Sequence, residues 1–517
     1  MSRELRLRAV VAALALAGAA ASADDRPLLL TAATVLDDRL ELTFNRAFGA
    51  EEAPDAASIE LHGGDSRRRL IEAHVVGRTV RARLDAPVYA GELVRAVHRP
   101  RTGNGSVIPV YNRSQLAAVA LAALPDGGVA VAGGFDGAVR IGAHALRAAG
   151  DSDIFVARAD RAGRWLWAVR AGGHGFDEAA GIAFGRSRQR LYVTGTTTID
   201  SAKGSAIFIA ELDLGGRWGW SQAVGAPEGG DNYGRRVAVD ADGDIYVAGH
   251  FTGRVRAGRH EVTSAGRADL FLARLAPDGR WRWLLGAGGD GFDTVYALGL
   301  DARQRPVLAG ELFMQGRFDG GGASFALAGS GWLPYLARAS RDGRWQWAAA
   351  VPDTVGAVQA LAADRDGLFA AGTGVTAGGG PAETPRAFLA HWDDDGALRW
   401  LRRLPWDGHS MGLGLALDAG SVYLVGQYTP ADADESEAGA GPQPFIAMAG
   451  RGGGRWERVQ PGGGQLLLPT GLAWAARAPR LIVVGTREDQ AFTSRGAPTV
   501  WTVEPRLSRW TPLARLP

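Results

Sequence analysis

The chain has 517 residues, 46% of them apolar, which is enough for a large packed interior and excludes a largely disordered protein. Its 57 basic and 55 acidic residues nearly cancel, so the charge balance gives no support for a nucleic-acid-binding protein. The sequence contains no cysteine, which excludes disulfides, a thiol nucleophile and any metal site built on cysteine.

The first segment, Met1–Ala23, has the pattern of a secretory signal peptide. Basic residues precede an apolar run, Ala9–Ala20, which is followed by the small-residue cleavage pattern Ala21–Ala23. Neither this run nor any later stretch is long enough to span a membrane comfortably. We therefore expect cleavage and export to the periplasm, the cell surface or the medium. Cleavage removes three Arg and one Glu and leaves 54 basic and 54 acidic residues.

Residues 27–113 alternate between apolar and polar positions in short runs separated by Gly, Asp and Pro. The runs are Arg39–Phe44, Ser58–His62, Leu70–Val76, Thr79–Leu84 and Glu92–His98. This period of two predicts the short antiparallel strands of a small β-sandwich. The order of LTFNRAF (Leu42–Phe48), SIEL and the segment Val75–Val94 resembles bacterial surface immunoglobulin-like repeats. The resemblance implies an immunoglobulin-like fold for this domain and no activity.

A second, longer region from Gln115 to Pro517 is built from a repeated unit that carries the tripeptide Gly-Arg-Trp. The first three copies begin at Gly163, Gly216 and Gly279, at intervals of 53 and 63 residues. Within a unit, four short apolar runs are joined in part by Asp-Gly turns, which are typical of tight hairpins. Four antiparallel strands per unit are the pattern of a β-propeller blade.

The first strand of the unit can be counted seven times along the chain. The copies are Ala117–Ala122, Ala180–Phe184, Arg236–Asp240, Tyr296–Asp301, Val358–Asp364, Gly412–Asp418 and Gly471–Trp474. We therefore predict an all-β protein, with a seven-bladed β-propeller over residues 115–517 preceded by the small sandwich. Because the region starts on a first strand and ends on a fourth, each blade is expected to coincide with one repeat.

The repeats resemble the bacterial SBBP repeat family, whose name denotes a seven-bladed β-propeller. The resemblance lies in DADGDIYVAG (Asp240–Gly249), DLFLARL (Asp269–Leu275), GRWRW (Gly279–Trp283) and GGDGFD (Gly288–Asp293). Such repeats occur in exported bacterial proteins, so the resemblance implies the propeller fold and export. It implies no catalytic residues.

The lengths of the links between strands indicate where a site would lie. Links from first to second and from third to fourth strand are tight turns, whereas the other links are long and must gather at the opposite end. Loops held by a rigid scaffold commonly carry function, so this long-loop face is the predicted binding face. The links that enter the central channel there supply the candidate ligand-binding residues. These are His174, Asp177, Glu178, Asn232, Tyr233, Asp290, Asp293, Asp407 and His409.

Three interpretations of this channel mouth stay open. Its carboxylates and histidines could hold a divalent cation through oxygen ligands, or they could bind a polar ligand. Alternatively, Asp177, Asn232 and Asp293 bind backbone N–H groups in their own glycine-rich turns. A further motif, D-x-D-G-D at Asp240–Asp244, looks like a calcium loop, but it lacks a downstream glutamate and occupies a hairpin turn. We therefore interpret it as turn chemistry.

Tryptophan pairs such as Trp281/Trp283 are spaced i, i+2. In a regular strand this spacing places both rings on one face, where they would fill the gap between blades.

The sequence favours an exported, non-enzymatic binding or scaffold protein, expected to be a monomer, whose long-loop face engages a protein or polysaccharide at the cell envelope. No cofactor is predicted. The alternative is a propeller enzyme with a metal or quinone cofactor at the channel mouth. ARADRAGRWLW (Ala157–Trp167) is similar to the repeats of quinone-cofactor dehydrogenases, but Asp160 stands three residues before the glycine instead of four.

Overall fold

A computed structural model describes most of the chain and contains only β-strands as regular elements. The described residues are 29–48, 58–63, 66–90, 92, 94–99, 106–112, 114–200, 204–225, 229–378, 383–431, 442–453, 455–461, 467–475, 480–487, 498–504 and 509–515. The predicted signal peptide lies outside them. No helix in this part of the chain has the length and hydropathy needed to cross a membrane.

The described residues of the N-terminal domain form seven strands. They are β1 (Leu30–Phe44), β2 (Ile59–Gly63), β3 (Ser66–Arg68), β4 (Leu70–Val76), β5 (Thr79–Val88), β6 (Val94–His98) and β7 (Ser106–Asn112). Hydrogen bonds connect them in the order β3-β2-β6-β7-β1-β5-β4. The five strands predicted from alternation are present, whereas β3, β7 and the first half of β1 were not predicted.

The long strand β1 joins the two halves of this domain. Its first part pairs in parallel with β7 and its second part pairs antiparallel with β5. The pairing register shifts between Asp37 and Arg39, which marks a β-bulge at the change of partner. Alternate side chains of both parts, including Val35 and Leu42, enter one apolar core shared by the whole domain.

The remaining strands form, within the described residues, seven four-stranded antiparallel sheets in chain order. Sheet one contains β8 (Leu116–Ala123), β9 (Val129–Phe135), β12 (Asp153–Ala159) and β13 (Trp165–Ala171). Sheet two contains β14 (Glu178–Gly185), β15 (Arg190–Asp200), β16 (Gly204–Asp213) and β17 (Trp218–Val224). Sheet three contains β18 (Asn232–Val239), β19 (Ile245–Phe251), β22 (Asp269–Leu275) and β23 (Trp281–Ala287).

The later sheets follow the same plan. Sheet four contains β24 (Thr294–Leu300), β25 (Pro306–Gly320), β26 (Ala323–Ala339) and β27 (Trp345–Ala350). Sheet five contains β28 (Thr354–Asp364), β29 (Gly367–Thr376), β30 (Arg386–Trp392) and β31 (Leu398–Arg403). Sheet six contains β32 (Gly408–Leu417), β33 (Ser421–Pro430), β34 (Gln443–Gly450) and β35 (Trp456–Pro461). Sheet seven contains β36 (Leu467–Ala475), β37 (Arg480–Arg487), β38 (Pro498–Glu504) and β39 (Arg509–Arg515).

The sheets are arranged like those of a β-propeller. The first strand of each sheet contacts the first strand of the next, and β36 of sheet seven contacts β8 of sheet one. An apolar core fills each gap between neighbouring sheets. The core between sheets seven and one joins Ile482, Val484 and Val500 to Val129 and Phe155. Apolar burial is the main favourable term in folding, so these cores hold the sheets together.

The prediction that both tryptophans of a pair lie on one strand face is wrong. Trp281 donates from Nε1 to Gln222 of sheet two (2.6 Å), whereas Trp283 donates to the carbonyl of Arg341 in sheet four (2.9 Å). A register shift between Arg274 and Leu275, opposite these rings, inserts one extra residue and reverses the alternation. The two rings of each pair therefore pack into the gaps on opposite sides of their sheet.

The glycine of Gly-Arg-Trp has its own packing role. Gly343, the glycine of the tripeptide that leads into β27, has a φ of +84°. A Cβ added there would lie 2.8 Å from the ring of Trp283 in the preceding sheet. Gly216, Gly279 and Gly396 pack in the same way on Trp167, Trp220 and Trp347. The repeated tripeptide thus connects each sheet to the one before it.

In the described part of the chain, three hairpins extend from the long-loop face, which is the end that carries the links after the second and fourth strands. Sheet one adds β10 (Ala138–Ile141) and β11 (His144–Arg147), and sheet three adds β20 (Arg254–Ala257) and β21 (His260–Thr263). In sheet four, β25 and β26 themselves continue as a long hairpin that pairs out to Gly320 and Ala323. The hairpin of sheet one contacts the N-terminal domain, where Arg147 forms ion pairs with Asp37 and Asp38.

Candidate functional site

Three of the predicted channel-mouth residues occupy equivalent positions where a fourth-to-first link enters its sheet. Asp177, Asn232 and Asp293 are each at most 1% exposed. The N–H groups of Asp177 and Asp293 donate to the carbonyls of Ser152 (2.9 Å) and Ala268 (2.8 Å) in the preceding sheet. The two aspartates therefore connect their links to the preceding sheet through backbone hydrogen bonds.

The side chain of Asp177 is saturated with local donors. Its Oδ2 accepts the N–H of Gly173 (2.7 Å), and its Oδ1 accepts the hydroxyl of Thr197 and the N–H of Thr198 (3.2 Å). The Nδ2 of Asn232 donates to the carbonyls of Ser205 (2.8 Å) and Gly230 (3.3 Å), while its buried Oδ1 has no partner among the described residues. Both arrangements agree with the interpretation of these residues as turn-forming groups.

Asp293 has fewer compensating partners than Asp177. Its Oδ2 accepts the N–H of Gly289 (2.7 Å) and its Oδ1 accepts the N–H of Phe313 (2.9 Å) in the long hairpin. Burial, with a smaller contribution from the charge of Asp269, raises the pKa of Asp293 to about 6. Burial also raises the pKa of Asp269.

The corresponding carboxylate pair between sheets one and two has a counter-ion. There Arg170 forms an ion pair with Asp153, which flanks Gly172 together with Asp177. In sheet three the residue at the place of Arg170 is Gly286, opposite Phe271 as Arg170 is opposite Phe155. The pair Asp269 and Asp293 therefore lacks the arginine that neutralises the equivalent pair.

The remaining predicted residues are His174, Glu178, Asp290, Asp407 and His409. Glu178 is half-buried at the start of β14 and the others are exposed. Asp290 accepts a hydrogen bond from Gln315 (3.3 Å), and Asp407 lies 3.4 Å from Arg386. These residues belong to different junctions between sheets, and a ligand-binding role for them stays a prediction.

A metal site was one of the open interpretations of the channel mouth. Across the described residues, no group of three or more His, Asp or Glu side chains is placed to hold a metal ion. In the D-x-D-G-D motif, Asp240 accepts the N–H groups of Asp242 (3.0 Å) and Asp244 (2.9 Å), which confirms the turn interpretation. Arg274 and Arg341 form ion pairs with these carboxylates.

The ninth predicted residue, Tyr233, lies in a group of side chains in which Arg235, His250 and Glu311 were not predicted. We call Tyr233, Arg235, His250, Tyr296 and Glu311 the Arg235 cluster. The guanidinium of Arg235 lies 5.3 Å from the ring centre of Tyr233, whose ring is 4.8 Å from that of His250. Across the junction, the hydroxyl of Tyr296 donates to Glu311 (2.7 Å).

Burial and the positive charge of Arg235 shift the pKa values of groups in and beside the Arg235 cluster. Burial, together with the charge of Arg235, lowers the pKa of His250 to about 3, so its imidazole is neutral. Burial raises the pKa of Glu311, while the hydrogen bond from Tyr296 opposes this rise. Burial and the neighbouring Arg235 lower the pKa of Arg236 to about 10.

Exposed apolar side chains lie next to this cluster. We call Phe292, Phe313, Met314 and Trp332, which are 38–50% exposed, the aromatic patch. Phe313 and Trp332 pair across the long hairpin with ring centres 5.1 Å apart. Phe292 lies 5.4 Å from His250, so the patch is continuous with the Arg235 cluster. Large exposed apolar groups that cluster in this way mark interaction surfaces.

An alignment of the repeats on the glycine of the second strand could have identified His250 and Glu311. The position after that glycine is Gly134 in sheet one and Thr196 in sheet two, but His250 in sheet three and Glu311 in sheet four. Each first strand also carries a register shift, and Arg235 and Tyr296 are the extra residues at two of these bulges. Bulges redirect side chains, and the sequence pattern does not reveal them.

No sequence-family profile and no curated protein matches this chain. Among solved structures, an ulvan lyase of polysaccharide lyase family PL25 is similar with 12% identity and a TM-score of 0.44, over 75% of this chain and 91% of that one. The β-propeller domain of the Trilobed protease from Pyrococcus furiosus is 9% identical with a TM-score of 0.29, over 94% and 95%.

Puromycin hydrolase is 14% identical with a TM-score of 0.42, and the match covers 77% of this chain but only 53% of that protein. At these identities and TM-scores the likenesses carry no inference about activity.

Proposed function

We propose that the chain is an exported, non-enzymatic binding protein whose long-loop face binds a polysaccharide. Residues 115–517 would form a seven-bladed β-propeller of the SBBP type, and residues 27–113 an immunoglobulin-like spacer or docking domain. The seven consecutive sheets and the apolar core between sheets seven and one support the propeller. The signal-peptide pattern at the N-terminus supports export.

The observation that carries the proposal is the aromatic patch beside the Arg235 cluster. Sugar rings pack their apolar faces on aromatic side chains while their hydroxyl groups need nearby hydrogen-bonding groups. Phe292, Phe313 and Trp332 offer exposed rings, and Tyr296 and Glu311 offer half-buried polar groups at the same junction. This combination favours a polysaccharide over a protein as the partner.

The test is affinity electrophoresis of the mature protein in gels that contain neutral or acidic polysaccharides. We expect a polysaccharide to retard the wild-type protein, and we expect the double variant Phe313→Ala, Trp332→Ala to lose at least tenfold in affinity. Both side chains are exposed, so the thermal midpoint should change little.

The matched control is Leu166→Ala, which removes a 44% exposed apolar side chain from β13, on a different sheet. It should bind like the wild type. If no polysaccharide retards the wild type, the proposal is contradicted, and a protein partner becomes the favoured occupant of this face. If the double variant is retarded as strongly as the wild type, the aromatic patch does not contribute to binding.

A further inference from the structure

One arginine on the long-loop side of sheet three has no counter-ion. Within the described residues, no carboxylate lies within ion-pair distance of Arg235, and its side chain makes only the contact with the Tyr233 ring. Other half-buried or buried arginines, such as Arg274, Arg305 and Arg338, form ion pairs with aspartates. In the described part of the chain, Arg236 and Arg403 have no ion pair either, but both donate to backbone carbonyls. The guanidinium of Arg235 is partly exposed and has neither kind of partner among the described residues, so it is free to bind an anion from outside.

Unpartnered polar atoms also lie on the strands of sheets three and four beside this arginine. Among the described residues, the Nδ1 of His250 and the hydroxyl of Thr294 are buried and have no hydrogen-bond partner, and each residue is 2% exposed. The Nε of Arg235 is unpartnered too, but so are those of Arg158, Arg274, Arg341 and Arg451. Buried polar atoms in proteins are nearly always bonded, so His250 and Thr294 indicate a missing bonding partner at this junction.

The net charge of the site depends on whether His250 is protonated. Since its imidazole carries no charge near neutral pH, Arg235 is the positive group facing the junction, and Glu311 is held by Tyr296 as a hydrogen-bond acceptor. A guanidinium can bind a carboxylate or sulfate through two parallel N–H groups, while Glu311 can accept a sugar hydroxyl. The ring of Phe292, 5.4 Å from His250, supplies an apolar surface at the entrance.

We propose, building on the polysaccharide-binding face described above, that the Arg235 cluster binds the negatively charged group of an acidic sugar residue. Arg235 pairs with the anion, the Tyr233 ring holds the guanidinium in place, and Tyr296 and Glu311 contact neighbouring hydroxyl groups. The aromatic patch then binds the following sugar rings of the same chain. The partner is therefore an acidic polysaccharide.

The experiment compares the binding of alginate, dextran sulfate and neutral dextran to the mature wild-type protein and to Arg235→Gln. We expect the variant to lose at least tenfold in affinity for the acidic polymer and to show a weaker dependence on salt. Binding of neutral dextran, where present, should not change. Alginate and dextran sulfate distinguish a carboxylate from a sulfate as the recognised group.

Two further variants make the result specific. Arg235→Lys keeps the charge without the planar guanidinium and should retain part of the preference for acidic polymers. Arg217→Gln removes the same charge from an exposed position in the tight turn between β16 and β17, at the end opposite the long-loop face, and should bind like the wild type. If Arg217→Gln weakens acidic polymers as much as Arg235→Gln does, the preference arises from general charge and the proposal is refuted.

A second readout separates this site from the proposed polysaccharide function. Glucuronate and glucose are compared as monosaccharides for their effect on the thermal midpoint. An increase with glucuronate that Arg235→Gln abolishes supports the anion site even if no polymer binds. Polymer binding that depends on Trp332 but not on Arg235, with no glucuronate effect, would overturn the anion site and leave the binding face intact.

Discussion

The unneutralised carboxylate pair of sheet three makes a quantitative prediction for Asp293→Asn. The rise of the Asp293 pKa from 3.8 to about 6 corresponds to roughly 3 kcal/mol. Below pH 4 the group is protonated in both the folded and the unfolded chain and contributes nothing. Between pH 4 and 6 the folded chain holds the proton more tightly, so stability falls as the pH rises. Above pH 6 the full cost is present.

Asparagine, like the protonated acid, carries no charge, but its amide nitrogen cannot accept a hydrogen bond, so Asp293→Asn loses one of the two acceptors that bind the N–H groups of Gly289 and Phe313. We therefore expect Asp293→Asn to be about 1–3 kcal/mol less stable than the wild type at pH 4, and we expect its stability relative to the wild type to rise by up to about 3 kcal/mol between pH 4 and pH 7.5. The assay is urea unfolding followed by tryptophan fluorescence at both pH values. Because the variant and the wild type are compared at the same pH, the contributions of all other titrating groups to the free energy of unfolding cancel.

The matched control is Asp177→Asn in the equivalent link between sheets one and two. There Arg170 is present, and the Asp177 carboxylate accepts three hydrogen bonds. The amide would lose an acceptor, so we expect a loss of about 1–3 kcal/mol at pH 7.5. The reasoning is refuted if the stability difference between Asp293→Asn and the wild type is the same at pH 4 and at pH 7.5.

Two structural predictions concern the contacts between sheets. Gly343→Ala should destabilise by about 1–3 kcal/mol more than Gly322→Ala, because both have φ near +85° but only Gly343 packs on Trp283. Equal urea midpoints would exclude the Trp283 contact. Arg274→Met should cost roughly 3 kcal/mol because it leaves buried aspartates without one cation, whereas Arg280→Met, 82% exposed, should cost less than about 1 kcal/mol. Similar losses for the two would argue against a buried network.

The repeated turns made most of the fold predictable. Asp-Gly turns and apolar alternation located all seven first strands, and the observed strands, such as Glu178–Gly185 and Asn232–Val239, contain or overlap the predicted ones. The bulges were not predictable, because an extra residue in a strand leaves no mark in composition or spacing. One such bulge reversed the expected direction of one ring in the Trp281/Trp283 pair.

The site was predictable in its polar turns and not on its strands. The motif G-G-x-G-x-D located Asp293 and its equivalents because each of them binds backbone groups in its own link. Arg235 and Tyr296 lie at strand bulges, which the sequence pattern does not reveal, whereas Glu311 stands out only when the repeats are aligned. Only the packing of sheet three against sheet four brings them to one junction, and this packing depends on residues far apart in sequence.

The junction of sheets three and four departs from the repeat in several ways at once. Gly286 replaces the arginine that neutralises the acidic pair elsewhere, Arg235 has no counter-ion among the described residues, and the long hairpin adds exposed rings. An acidic pair without a cation and a guanidinium without an anion each cost stability, and the junction between sheets one and two shows the acidic pair with its arginine in place. Local violations of this kind concentrate where function requires them. The asymmetry of an otherwise repetitive structure thus supports our proposal that a ligand binds at this junction.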